Sequence, residues 1–186
     1  LAGYDGKGSA TEMLDHWLLS RLAKTIEEAT AAFDLYEYSR AKTVIESFFW
    51  KDLCDNYLEL VKTRVYEGKS PSGKKSAQYA LVIALSAVVR LMAPFTPFIT
   101  EAVYQKYLAK TEGHKSVHVA GWPAAPKKDE VALAIGDATV LILAAVRKKK
   151  SEAKVSMKAP IKRLIIQCDD PSVSCGLDST LEDLKA

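Results

Sequence analysis

From residue 11 to residue 33 the apolar positions recur at intervals of three and four. Leu14, Leu18, Leu22, Ile26, Ala29 and Phe33 share one face of a predicted helix, and Thr11 stands where its N-cap belongs. A break at Asp34-Leu35 precedes a second helical run over about 36–66. EGKSPSGKKS (67–76) reads as a loop, with Ser76 able to cap a third helix through about Ala93. That helix carries Leu81, Ala84, Leu85, Val88, Leu91 and Met92 on a wide apolar face. Pro94 ends it, because the residue before a proline avoids helical dihedrals. Thr96 followed by Pro97 restarts a fourth helix to about Leu108. Residues 109–128 read as irregular, with a short extended piece in SVHVAGW (116–122), and a further helix fits about 129–150. KRLIIQC (162–168) is the strand candidate. There is no internal repeat. The expected fold class is mainly α: an antiparallel bundle of about four or five helices with a small C-terminal α/β appendage. The expected organisation is a flexible lead-in over 1–10, a helical bundle over 11–115, and a C-terminal helix plus appendage over 116–186.

Residues 48–66, FFWKDLCDNYLELVKTRVY, place a cysteine among carboxylates and rings. On a regular helical wheel Trp50, Leu53, Cys54, Tyr57, Leu58 and Val61 fall in one apolar arc, with Arg64 near its end. A thiol in that arc is desolvated and inert. Asp52, Asp55 and Glu59 fall opposite, with Lys51 and Lys62 among them. Catalytic carboxylates need pKa values moved by burial, and a wet, lysine-flanked row does not supply that. The stretch reads as an amphipathic bundle helix whose wet face is open to function.

Charge sharpens the picture. Arg147 to Arg163 holds eight cations against the single carboxylate of Glu152, a net +7 within a chain of net +3. Such a block is the electrostatic footprint of a polyanion site. Its first part also complements the dipole at a helix C-terminus, which accounts for Arg147–Lys150 and leaves Lys154, Lys158, Lys162 and Arg163. On the first helix, Trp17, Arg21, Lys24 and Glu28 line the polar side. The ring of Trp17 there reads either as packing against a neighbouring helix or as a platform for an unpaired base, with Arg21 and Lys24 on phosphates.

Three scattered cysteines and three scattered histidines form no ligand cluster, pointing to a reduced, intracellular protein without a metal. No phosphate loop, dinucleotide fingerprint or nucleophile arrangement is present. No signal peptide is read, and no uninterrupted apolar run reaches the roughly 18–20 residues of a membrane span. A start on Leu1 reads as a fragment of something longer.

Two blocks together carry a resemblance. Phe48, Trp50, Leu53, Cys54, Asp55, Tyr57, Leu58, Glu59, Lys62 and Arg64 fit F-x-W-x-x-[FL]-C-D-x-Y-[LI]-E-x-x-K-x-R. Pro94, Phe95, Pro97, Phe98, Thr100 and Glu101 fit L-x-P-F-x-P-F-x-[TS]-E, with Leu91 one place out of register, and DHWLLSRL (15–22) and GWP (121–123) add to them. Over about 11–165 the chain resembles the anticodon-binding domain of class I aminoacyl-tRNA synthetases for valine, isoleucine and leucine, most of all the valine member. The resemblance implies a helical bundle that grips the anticodon stem-loop of tRNA, beside a catalytic half that activates valine with ATP and magnesium. Neither the HIGH nor the KMSKS signature of that half is present; KVSMK (154–158) shares letters with the second but follows the bundle instead of preceding it. The chain itself is expected to hold no cofactor, to bind rather than ligate, to work in the cytoplasm and to have no membrane partner. Its expected tRNA contacts are Asn56 on base edges, Trp17 for stacking, and Arg21, Lys24, Lys51, Arg64, Arg147, Lys148, Lys149, Lys150 and Lys154 on the backbone. The alternatives are the same module from an isoleucine or leucine enzyme, a helical bundle that docks other proteins, and a small enzyme built around Cys54.

Overall fold

The computed structural model describes residues 8–67 and 70–185. Most of the expected lead-in therefore lies outside the described residues. Helix α1 (Met13–Asp34) is the axis of the fold. Its apolar stripe is buried, and so is much of its other side, including Trp17, Asp15 and Ser20. Helix α2 (Tyr38–Ser47) returns along α1 and runs without a break into a π-helix, Phe48–Tyr57. Two short helices follow, α3 (Leu58–Leu60) and α4 (Lys62–Glu67). Helix α5 (Pro71–Met92) fills the third side of the core, and α6 (Pro97–Tyr107) and α7 (Ala109–Glu112) fold beside it. Helix α8 (Glu130–Glu152) runs antiparallel to α1 and covers it, and α9 (Pro171–Leu177) and α10 (Leu181–Leu184) close the tail. Leu14, Leu18, Leu22, Ile45, Phe48, Leu60, Ala84, Leu91 and Leu133 meet in one hydrophobic cluster, so α8 shares the core of the first helices.

The α1–α8 seam explains the burial of the polar side of α1. Trp17 is 1% exposed and its Nε1 donates to Asp137 Oδ1 at 2.8 Å. Gly136 admits the ring: a Cβ at that position would lie 2.1 Å from Trp17 Cγ. Ser20 Oγ accepts from Asp129 N, and Lys24 with Glu130 and Lys128 with Glu27 extend the seam toward the end of α1.

One local expectation holds and two are corrected. Pro94 and the Thr96-Pro97 pair divide α5 from α6, although the Thr96 hydroxyl bonds back to Met92 O and caps nothing. The loop after α4 is shorter than its composition suggests. Ser70 caps α5 by accepting from Gly73 N, and Pro71 takes the first helical position, so the helix starts five residues before the expected Ser76. SVHVAGW holds a single 3₁₀ turn, Val117–Val119, in place of an extended piece.

The C-terminal α/β appendage is overturned. Among the described residues there is no β-strand. Residues 162–168 run irregular and exposed, because an apolar run becomes a strand only where another strand offers it a hydrogen-bonding ladder, and none lies beside it. Beyond it Asp170 caps α9, Leu177 is buried and Thr180 Oγ1 meets Thr139 Oγ1 at 3.0 Å, so residues 171–184 are helical.

By length and composition α5 could cross a membrane, although polar residues interrupt its apolar run. Half of its apolar window is buried inside the bundle, against α1, α2, α4 and α6, as befits a core helix.

Gly136→Ala should lower the unfolding free energy by about 1–3 kcal/mol, outweighing alanine's better helix propensity. Urea unfolding monitored by circular dichroism reads this directly, and an unchanged midpoint would show that Trp17 gives way.

Candidate nucleic-acid interface

The residues read as tRNA contacts separate into three groups. The first is built into the core. Trp17, expected as a stacking platform, has no free face, because α8 covers the side of α1 that periodicity alone gives to solvent. Arg64 is likewise internal. Its NH2 donates to Asp15 Oδ1 at 2.8 Å and its NH1 to Asp15 Oδ2 at 3.2 Å, while Nε lies 2.9 Å from Asp183 Oδ1 without the alignment of a hydrogen bond. Asp15 is fully buried and also accepts from Tyr57 Oη at 2.7 Å and from Ser76 Oγ. Burial alone would lower the Arg64 pKa, but Asp15 and Asp183 hold it above its ordinary value. Burial, then the Asp15 charge, pushes the Tyr57 phenol well up.

The second group ties elements together while staying partly exposed. Arg21 makes two 3.3 Å hydrogen bonds to the Asp52 carboxylate, and Lys24 faces Glu130 at 3.8 Å. Asp52, expected on a wet face, has a side chain only 16% exposed; burial raises its pKa against the lowering effect of Arg21. Asn56 is engaged at both ends of its amide: Nδ2 donates to Lys51 O at 2.7 Å and Oδ1 accepts from Arg147 at 3.4 Å. Arg147 also donates to Asp55 O at 3.0 Å, pinning α8 to the end of the π-helix. Lys149 is the exception: it is exposed and pairs with Glu152 within α8, while Lys150 Nζ donates to Met157 O.

The π-helix accounts for the errors over residues 48–57. Its turn is wider than the 3.6 residues of an α-helix, so a wheel drawn at 100° per residue drifts through the stretch. Trp50, assigned to the apolar arc, is 59% exposed. Cys54 is half-buried, and desolvation followed by the Asp55 charge raises its thiol pKa, the opposite of an activated nucleophile.

The third group is open. Lys51, Lys148 and Lys154 are exposed and, among the described residues, form no ion pair. Lys154 has φ of 53°, in the left-handed region. Its N–H bonds to Ser151 O and that of Val155 to Lys150 O, the pairing of a Schellman motif, with lysine where glycine is usual.

The far end of α1 closes in the same way and carries a feature that periodicity misses. Tyr36, with φ of 59°, donates its N–H to Phe33 O, and Glu37 N bonds to Ala32 O. The left-handed residue throws the Tyr36 ring outward, where it is 78% exposed. Tyr38 stands edge-on at 6.3 Å from it and at 5.7 Å from Phe33, and Phe33 packs edge-on to Trp122 at 5.1 Å and beside Phe95 at 5.5 Å. An open hollow of about 550 Å³ lies here, lined by Tyr36, Glu37, Tyr38, Ser39 and Arg40. Two tyrosines at a helix break, belonging to neither apolar stripe, were the available signal.

An all-helical binding module, with outward rings at one end and unpaired lysines at the other, is the class this fold defines. The chain belongs to the anticodon-binding domain family of tRNA ligases, whose pattern matches residues 15–166. It is 43% identical to a valine–tRNA ligase of Thermobifida fusca over 93% of this chain and 20% of that protein. It is 41% identical to one from Orientia tsutsugamushi over 92% of this chain and 20% of that protein. A third, from Natronomonas pharaonis, is 38% identical over 84% of this chain and 17% of that protein. The chain thus spans about a fifth of the length of these relatives.

Asp183 offers a test of the buried network. Burial raises its pKa from the ordinary 3.8 to about 6, with Arg64 opposing and Asp15 adding to the rise. Between about pH 4 and 6 the native state therefore holds more protons than the unfolded chain, and stability falls as pH rises through that window. Asp183→Asn should remove this loss, roughly 1–2 kcal/mol after solvent screening. Chemical unfolding of both proteins at pH 4 and pH 7 measures it; parallel pH profiles would contradict the assignment.

Proposed function

We propose that this domain binds the anticodon stem-loop of a valine-acceptor tRNA, as part of a longer cytoplasmic valine–tRNA ligase whose catalytic portion activates valine with ATP and esterifies it to the tRNA. The observation that carries the reading is the pair of outward tyrosines, Tyr36 and Tyr38, over the open hollow beside Arg40. Unpaired RNA bases are recognised by stacking on exposed rings and by hydrogen bonds to their edges, and a helical bundle holds such rings rigidly. Lys51, Lys148 and Lys154 serve the phosphate backbone, with Arg147, Lys149 and Lys150 adding to the field around them. Arg21, Lys24 and Asn56 act by holding α1, the π-helix and α8 in register, while Trp17 and Arg64 stay within the core.

Binding to valine-acceptor tRNA and to the same tRNA with a changed anticodon, at two salt concentrations, tests the reading. The native anticodon should bind more tightly, and both complexes should weaken as salt rises. Tyr36→Gly should leave the fold as stable or more so, since it relieves a left-handed non-glycine residue worth roughly 1–2 kcal/mol. It should nonetheless cost about 1–3 kcal/mol of tRNA affinity. Lys148→Ala with Lys154→Ala should weaken both tRNAs alike and flatten the salt dependence. Equal binding of the two tRNAs by the unaltered domain would overturn the proposal.

A further inference from the structure

At the other end of α1 from the tyrosines, the chain reverses at Lys154 and runs back along the last turns of α8. Between the returning segment and α8 lies an open groove of about 600 Å³. Its walls are aliphatic: Ile142 and Val146 from α8, and Val155, Ile161, Leu164 and Ile165 from the returning segment. Ile165 is 67% exposed and Ile161 and Leu164 nearly half, so this apolar surface stands in water. Lys149, Lys150 and Arg163 stand on its rim.

These features restrict what fits. The rim lies within a segment of eight cations and one carboxylate, Glu152, which is already paired with Lys149. The occupant must therefore carry negative charge. The walls hold no aromatic ring, so a nucleotide base finds nothing to stack on, and a phosphate backbone gains nothing from contact with isoleucine and leucine. The occupant must also bring an apolar face. The groove's Schellman turn is held by two backbone hydrogen bonds, and Lys150 Nζ fixes the returning strand of chain by donating to Met157 O, so the site exists before anything binds. We propose that this groove docks an acidic amphipathic helix of a protein partner, its apolar stripe on the Ile142–Leu164–Ile165 walls and its carboxylates on Lys149, Lys150 and Arg163. The site is separate from the tyrosine hollow and does not depend on the reading of an anticodon.

The probe is a fluorescein-labelled peptide of roughly 15 residues with leucines at i, i+3, i+4 and i+7 and glutamates elsewhere. Controls carry lysine for glutamate, or glutamate and glycine with no leucine. Fluorescence anisotropy with the whole chain should show the acidic amphipathic peptide binding about tenfold or more tighter than either control. Ile165→Asp, on an exposed side chain, should cost about tenfold in that affinity, as should Lys149→Glu combined with Lys150→Glu. Ile165→Asp should keep the unfolding midpoint of the unaltered chain and its discrimination between tRNAs with native and changed anticodons. Equal binding of the leucine-free peptide would reduce the site to bare charge. An Ile165→Asp variant that binds the peptide normally, or that loses RNA in place of peptide, would equally overturn the proposal.

Discussion

One buried carboxylate organises this domain. Asp15 sits in the first turn of α1 with no exposure, and four separate parts of the chain come to it. Tyr57 arrives from the end of the π-helix, Arg64 from α4, Ser76 from α5, and Asp183 joins through Arg64 from α10. A charge removed from water is tolerated only where it is paired and its remaining lone pairs are filled, and breaking such a pair typically costs about 3–5 kcal/mol. The network therefore sets the register of three helices and the tail around the start of α1. Apolar packing is less selective, since a stripe of leucines accepts several rotations of its neighbour, whereas a carboxylate with defined donors accepts few.

The second organising contact follows from the first. With its beginning held by Asp15, α1 presents Trp17, Ser20, Arg21 and Lys24 to α8. Gly136 removes the one side chain that would keep the two helices apart, and the indole fills the space. Arg147 then reaches Asp55 and Asn56, so α8 is fixed to both the first helix and the π-helix. Trp17, Arg21 and Lys24, which read in the sequence as a base-and-phosphate platform, are thus consumed in joining helices, and of the Arg147–Arg163 block Arg147 is consumed in the same way. Among the described residues, the unpaired Lys148 and Lys154 lie where α8 runs past the start of α1.

The bundle was legible because its core obeys simple periodicity. Leu14, Leu18, Leu22 and Ile26 are buried as their spacing demands, and the Pro94 and Thr96-Pro97 signals divide α5 from α6. The misreadings each have a definite cause. The wheel fails at Trp50 and Asp52 because the hydrogen-bonding pattern changes to π, which side-chain spacing does not announce. Trp17 was misplaced because burial of the polar side of α1 depends on a helix more than a hundred residues away, and Arg64 because its buried partner Asp15 lies on α1, outside the helix that carries it. Ser76 was read as a cap because the serine that serves, Ser70, lies within a run whose composition signals a loop. KRLIIQC has the composition of a strand, but strand formation is a property of pairs, and one member says nothing of the other. The tyrosine hollow was missed for the converse reason: its residues carry no periodicity, and outward rings are recognised only once the turn that aims them is known.

That turn recurs at both ends of the bundle. α1 and α8 each finish in a Schellman motif whose left-handed position holds a large side chain, Tyr36 in one and Lys154 in the other, where glycine would cost less. The backbone strain lies outside the core and adds nothing to packing. Its effect in each case is to aim one side chain away from the bundle, a ring at one end and an ammonium at the other. Strain held at exposed positions is intelligible as the cost of presentation, and it makes the two residues separable from stability in a way that Asp15 and Trp17 are not. The strained, exposed side chains therefore stand at the helix ends, and the buried polar network around Asp15 holds the helices that carry them.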